Sequence, residues 1–155
     1  MRVLLSCDFS FYLSRKAVLR ARELGAVWAS EKYCPLVELP ETWPEALEDR
    51  YEIWRNNRYR LNELVPRHDP ILLQIFDELG AEMEPPPEDG DLDGFPKPDE
   101  REIRALEIPE DVRYAIHSYL GEWIAEAHRV WDWEGETRVQ GPVFDKYSTF
   151  HDWKD

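Results

Sequence analysis

Apolar positions along this chain recur with two different periods, and the change of period divides the sequence into elements. Val3–Leu5 is a short apolar run that predicts a buried first strand. Beyond it, Ala17, Val18, Ala21 and Leu24 fall at helical spacing, with Ser14 placed to cap the first turn and Gly25 to end the last. Ala26–Trp28 reads as the start of a second strand. Thr42 is read as the cap of a helix that carries Pro44, Ala46, Leu47, Tyr51 and Trp54 and stops at Asn56–Asn57. The run Arg67-His68-Asp69-Pro70 followed by ILLQIFDELG is a compact helix signature. Asp69 caps it, Pro70 sits where a missing N–H costs nothing, and Gly80 terminates it. Its apolar face is Ile71, Leu72, Ile75, Phe76 and Leu79. Later, Ile103, Leu106 and Ile108 lead into Pro109. Val112, Tyr114 and Ile116 then alternate with Arg113, Ala115 and His117, which is strand period. Gly121 offers a turn, after which Trp123–Trp131 can return as a partner strand. A helix over Glu122–Val130 is the rival, because EWIAEAHRV has good helix formers. The fold class expected is α+β: at least two helices packed on a mainly antiparallel sheet formed late in the chain.

Composition sharpens this picture. The chain has 155 residues, 43% of them hydrophobic and 13% aromatic, enough to bury a core despite 34% charged residues. One domain over residues 1–155 is expected, since two separate cores are crowded below about 200 residues. With 33 acids against 19 lysines and arginines the formal net charge is −14, which argues against direct nucleic-acid binding because that field repels phosphates. No apolar run approaches the roughly 18 residues of a membrane span, and no signal-peptide pattern opens the chain. Cys7 and Cys34 build no disulfide framework, so both are read as reduced thiols in a cytoplasmic protein. The charge is polarised. Residues 82–100 hold eight acids against Lys97 alone, with five prolines and two glycines, and are read as an exposed acidic loop. Residues 1–32 carry six bases against three acids. The tail, residues 131–155, places Trp131, Trp133, Val143, Phe144, Tyr147, Phe150 and Trp153 among charges. It is expected to pack over the domain or over a partner.

Three blocks, RVLLSCDFSFYLSRKAVLRARELG (2–25), RHDPILLQIFDELG (67–80) and LEIPEDVRYAIHSYLGEWIAEAHRVW (106–131), resemble a family of small hypothetical proteins of bacteriophage and bacterial genomes. In that family a strand ends near a Cys and leads into an LS–x–x–A helix. An R–x–D–P–x–L…ELG helix and EIPDDVEWEI–EYDG and E–HR–W segments follow. This chain departs in two places: its linker is long, acidic and proline-rich, and the EYDG corner reads SYLG, with Leu120 at the position of the Asp. The resemblance implies a phage or prophage context and carries no catalytic residue across.

Four constellations could carry chemistry. In the acidic loop Asp89, Asp91 and Asp93 stand at positions 1, 3 and 5 of a twelve-residue calcium pattern, with Gly94 at 6, the Phe95 carbonyl at 7 and Glu100 at 12. The entry EPPPE cannot be the incoming helix of such a site, and Pro96 lacks the N–H that couples paired loops. The reading is therefore a solvated acidic linker, and no cofactor is expected. Arg50, Arg55, Arg58 and Arg60, interleaved with Tyr51, Trp54, Asn57 and Tyr59, form the chain's basic–aromatic cluster, a candidate ligand or partner surface through guanidinium contacts and ring stacking. The alternative is an amphipathic element whose arginines pair with the surplus acids. His117 and His128 would approach one another across a hairpin about Gly121, as would Glu122 and Glu126; His68 and His151 stand apart, and no metal-ligand spacing accompanies any of them. Cys7-Asp8 pairs a thiol with a carboxylate, but no nucleophile elbow, glycine-rich phosphate loop or HExxH occurs. The function expected is a small acidic, non-enzymatic interaction protein, phage-encoded, that binds a host protein with a basic surface and alters its activity, with partial DNA mimicry as one route. The alternative is a nucleotide- or small-molecule-binding protein or enzyme using the Arg50–Arg60 cluster and the His117/His128 region; a weak calcium-binding loop protein is the third reading.

Overall fold

The computed structural model describes residues 1–7, 10–87, 95–97, 100–110, 114–118, 121–126, 129–132 and 135–138. The chain is α+β, with antiparallel pairing throughout the strands described. It divides into two compact units. The first combines residues 1–10 with 102–155, and the second is the continuous stretch 11–101.

In the first unit β1 (Arg2–Ser6) pairs antiparallel with β4 (Ile103–Glu107), from Arg2 opposite Glu107 to Ser6 opposite Ile103. A four-stranded meander follows: β5 (Ala115–Ser118), β6 (Glu122–Glu126), β7 (Arg129–Asp132) and β8 (Gly135–Arg138). The alternating segment is strand from Ala115 on, Val112 and Arg113 lying outside the described residues, and the rival helix over 122–130 does not form. The returning segment is two strands, with Glu126 opposite Arg129. Ile116, Glu122, Ile124 and Trp131 share a sheet face by register. Val3, Leu5, Ile108, Tyr114, Ile124 and Trp131 form one buried cluster, with Met1, Leu106 and Ile116 packed against it. Each fully buried aliphatic side chain there contributes about 1.5–3 kcal/mol relative to exposure. Gly121 makes the β5–β6 corner possible. Its φ is +108°, and a Cβ at that position would stand 2.7 Å from the Cys7 carbonyl oxygen.

In the second unit α1 (Arg15–Glu23) starts at Ser14, whose hydroxyl accepts from Ala17 N and donates to the Glu82 carbonyl. Ala17, Val18 and Ala21 are its buried face. At its end Gly25, at φ +84°, lets Ala26 N reach Ala21 O and Gly25 N reach Arg22 O. This closure folds the chain back, so the strand expected at Ala26–Trp28 is instead a 3₁₀ turn over Val27–Ala29. Helix α2 (Leu47–Asn56) begins five residues after Thr42. Pro44 disfavours the helical conformation at Trp43, and Ala46, in extended backbone, takes the cap position with no side-chain bond. The two-residue strands β2 (Tyr12–Leu13) and β3 (Tyr59–Arg60) pair with each other. Helix α3 (Pro70–Leu79) starts and stops as its signature requires: Asp69 Oδ1 accepts from Ile71 N and Leu72 N at 3.0 Å each, and Gly80 follows at φ +56°. Leu72 and Ile75 are its buried residues. Arg20 on α1 grips Glu78 on α3 through two contacts of 2.7 and 3.1 Å.

The acidic segment departs from a simple exposed loop at its start. Met83, Glu84 and Pro86 are buried, and so is Pro96 further on. Glu84 accepts from Arg101 Nε at 2.9 Å, and the same guanidinium lies over the Phe76 ring. Residues 88–94 and the aromatic tail beyond Arg138 lie outside the described residues.

Candidate functional site

Helix α2 buries none of its ten residues. Leu47, Tyr51 and Trp54, at i, i+4 and i+7, share one side, and the Tyr51 and Trp54 rings lie 5.6 Å apart. Leu47 is 79% exposed and Tyr51 45%. Trp54, at the C-terminal end of that stripe, is the tether: its indole Nε1 donates to the Pro86 carbonyl at 2.7 Å. Asp49, Glu52, Ile53 and Asn56 lie on the opposite side. Together with Val37, Glu38, Pro40, Thr42, Pro44 and Asn57 they line a groove of about 350 Å³.

The walls of this groove are held by specific bonds. The Val37 carbonyl accepts from the Arg15 guanidinium, and Val37 N donates to Tyr59 Oη at 3.2 Å. The Tyr59 hydroxyl in turn donates to Asn57 Oδ1 at 3.1 Å, and Asn57 Nδ2 donates to the Ile53 carbonyl at 2.8 Å. Arg50 Nε donates to the Pro44 carbonyl at 2.6 Å, which fixes the chain entering α2. Residues 37–52 carry six acids against Arg50 alone. Among the described residues none of Glu38, Asp49 and Glu52 has a cationic partner within ion-pair distance.

The arginines singled out in the sequence are dispersed through the structure. Arg50 is committed to Pro44 and lies over Trp43. Arg58 is clamped between the Tyr12 and Trp54 rings, 4.2 and 4.8 Å from their centroids. Tyr59 is buried and builds the groove wall. Arg60 pairs with Glu63 at 3.0 Å, and Arg55 is exposed on the helix. Most of this cluster therefore joins α2 to its surroundings. The residues missed were the acids of 37–52 and the exposed Val37, Leu39 and Leu47. The signal was present in VELPETWPEALEDRYE, a second acidic run with an apolar residue every few positions.

Of the remaining candidates, His117 stacks on Trp123 across the β5–β6 pair at 4.7 Å between centroids, while His128 and His151 lie outside the described residues. Glu122 is 3% exposed and its Oε1 accepts from Ser6 N at 2.7 Å, on the side of β1 away from β4. The Glu126 position lies at the far end of β6 from Glu122. Cys7 donates its N–H to the Glu102 carbonyl, and Asp8 lies outside the described residues. Burial pushes the Cys34 thiol upward, with Arg22 opposing weakly, which favours the neutral thiol. Asp89, Asp91 and Asp93 lie outside the described residues. Phe95 is exposed beside the Lys16 ammonium, and the Glu100 carboxylate accepts from Lys97 N in its own turn. Among the described residues no group of three or more His, Cys, Asp or Glu is placed to hold a metal ion, and no helix is long and apolar enough to cross a membrane. No family model, curated protein or solved structure matches this chain.

Proposed function

We propose that this is a non-enzymatic interaction protein that binds a partner protein with a basic surface and alters its activity. The observation that carries the reading is α2, a ten-residue helix with no buried residue and with Leu47 and Tyr51 turned to solvent. Isolated helices of fewer than about 12–15 residues are marginal in water and depend on packing of an apolar face. The Leu47–Tyr51 part of its stripe leaves apolar surface uncovered, which suits it to packing against another chain. The acid-rich surroundings favour a basic partner and speed encounter with it. The resemblance to phage proteins makes the defence and nucleic-acid machinery of a bacterial host the place to search.

The test compares the immobilised wild-type protein with a Leu47→Ser/Tyr51→Ser variant in bacterial lysate at low salt. Both side chains are exposed, so the variant is expected to keep its stability within about 0.5 kcal/mol. The expected result is a specific protein that the wild type retains, that rising salt releases, that the variant fails to retain and whose activity changes on addition of the chain. Equal retention by both proteins, or no specific protein at all, overturns the reading.

A further inference from the structure

We infer that the groove between residues 37–44 and α2 docks an arginine-bearing apolar segment of the partner, taking an arginine side chain among Glu38, Asp49 and Glu52. This rests on the interaction reading above and names the chemistry of its contact. The apolar wall of Val37, Pro40, Pro44 and Ile53 fits the aliphatic stem of a long basic side chain, and the carboxylates fit its head. Arginine suits the site better than lysine, because its planar fork of donors can engage two carboxylates at once. The acids have no competing cation within the described chain, since Arg50, the base nearest in sequence, is drawn to the Pro44 carbonyl. The bonds from Arg15, Tyr59 and Asn57 fix the Val37 wall and the residues that follow the C-terminal end of α2. On the opposite side of α2, Leu47 and Tyr51 are free to meet the apolar part of the same partner.

The probe is a short amphipathic peptide with arginines on one face and leucines on the other, labelled for fluorescence anisotropy. Glu38→Gln/Asp49→Asn/Glu52→Gln removes the groove acids, all three of which are exposed, so folding is spared. Glu63→Gln/Glu107→Gln/Glu110→Gln removes the same charge from exposed positions elsewhere. The groove variant is expected to bind the peptide about tenfold more weakly, while the distant variant stays within about twofold of wild type. A peptide with glutamines in place of the arginines is expected to lose the same affinity. Equal weakening by the two variants, or equal binding of the glutamine peptide, overturns the groove assignment and points to bulk charge. The outcomes stay separable: partner capture lost with Leu47→Ser/Tyr51→Ser but untouched by the groove variant removes this inference and leaves the interaction reading standing.

Discussion

At the scale of single residues, two carboxylates show how position decides what an acid does. Glu122 shares a sheet face with Ile116, Ile124 and Trp131, is nearly fully buried, and accepts the Ser6 N–H on the side of β1 away from β4. Removing it leaves a buried donor without that acceptor. Glu122→Ala is expected to cost about 1–3 kcal/mol in chemical denaturation, and Glu122→Gln, which keeps an acceptor oxygen, less. A loss as large for glutamine as for alanine would show that the negative charge, not the Ser6 bond, matters. Glu78 acts differently. Hydrogen bonds from Arg20 and then Gln74 hold its carboxyl at about 2, below the ordinary value of 4.5. Because the folded value is the lower one, the stability it adds is complete above pH 4.5 and is lost as the pH falls toward 2. The pair is one-third exposed, so water screens it and the effect is small. The stability difference between wild type and Glu78→Gln is expected to shrink across that window and to shrink with added salt. A difference independent of pH would contradict the assignment.

At the scale of elements, what could be read from the sequence is what is settled by neighbouring residues. Ser14 and Gly25 bound α1, and Asp69, Pro70 and Gly80 bound α3, because caps and left-handed terminators act within a few positions of one another. Asp69→Ala is accordingly expected to destabilise the second unit by about 1 kcal/mol, read as a lower denaturation midpoint; an unchanged midpoint would mean that Oδ1 contributes nothing to the first turn. Local reasoning failed where a nearby constraint was overlooked. Pro44 moved the start of α2 from Thr42 to Leu47, and the closure at Gly25 turned Ala26–Trp28 away from strand geometry. Pairing of β1 with β4 was not legible, since it joins residues about a hundred positions apart and neither strand's pattern names the other. The groove was hidden because its Val37 wall is tied to the end of α2 through Tyr59 and Asn57, a link that no local pattern names. The basic–aromatic cluster was legible as a cluster, but its arginines serve Pro44, Tyr12 and Glu63. The start of the acidic segment was misjudged because Glu84 is buried against Arg101, a partner supplied from the far end of the segment.

At the scale of the whole molecule, a net charge of −14 creates a long-range preference for basic surfaces but does not choose among them. Selection needs a shaped, partly apolar contact, and the exposed stripe of α2 and the acid-walled groove on its opposite side provide candidates. The account therefore turns on α2 being a helix that awaits a surface. Amide hydrogen exchange, residue by residue, on the chain alone and bound to the protein it retains at low salt, tests this most directly. The account predicts that α2 exchanges far faster than α1 and α3 in the free chain and becomes protected on binding, with the gain concentrated over Leu47–Ile53. Protection of α2 equal to that of α1 and α3 in the free chain, unchanged by binding, would contradict it.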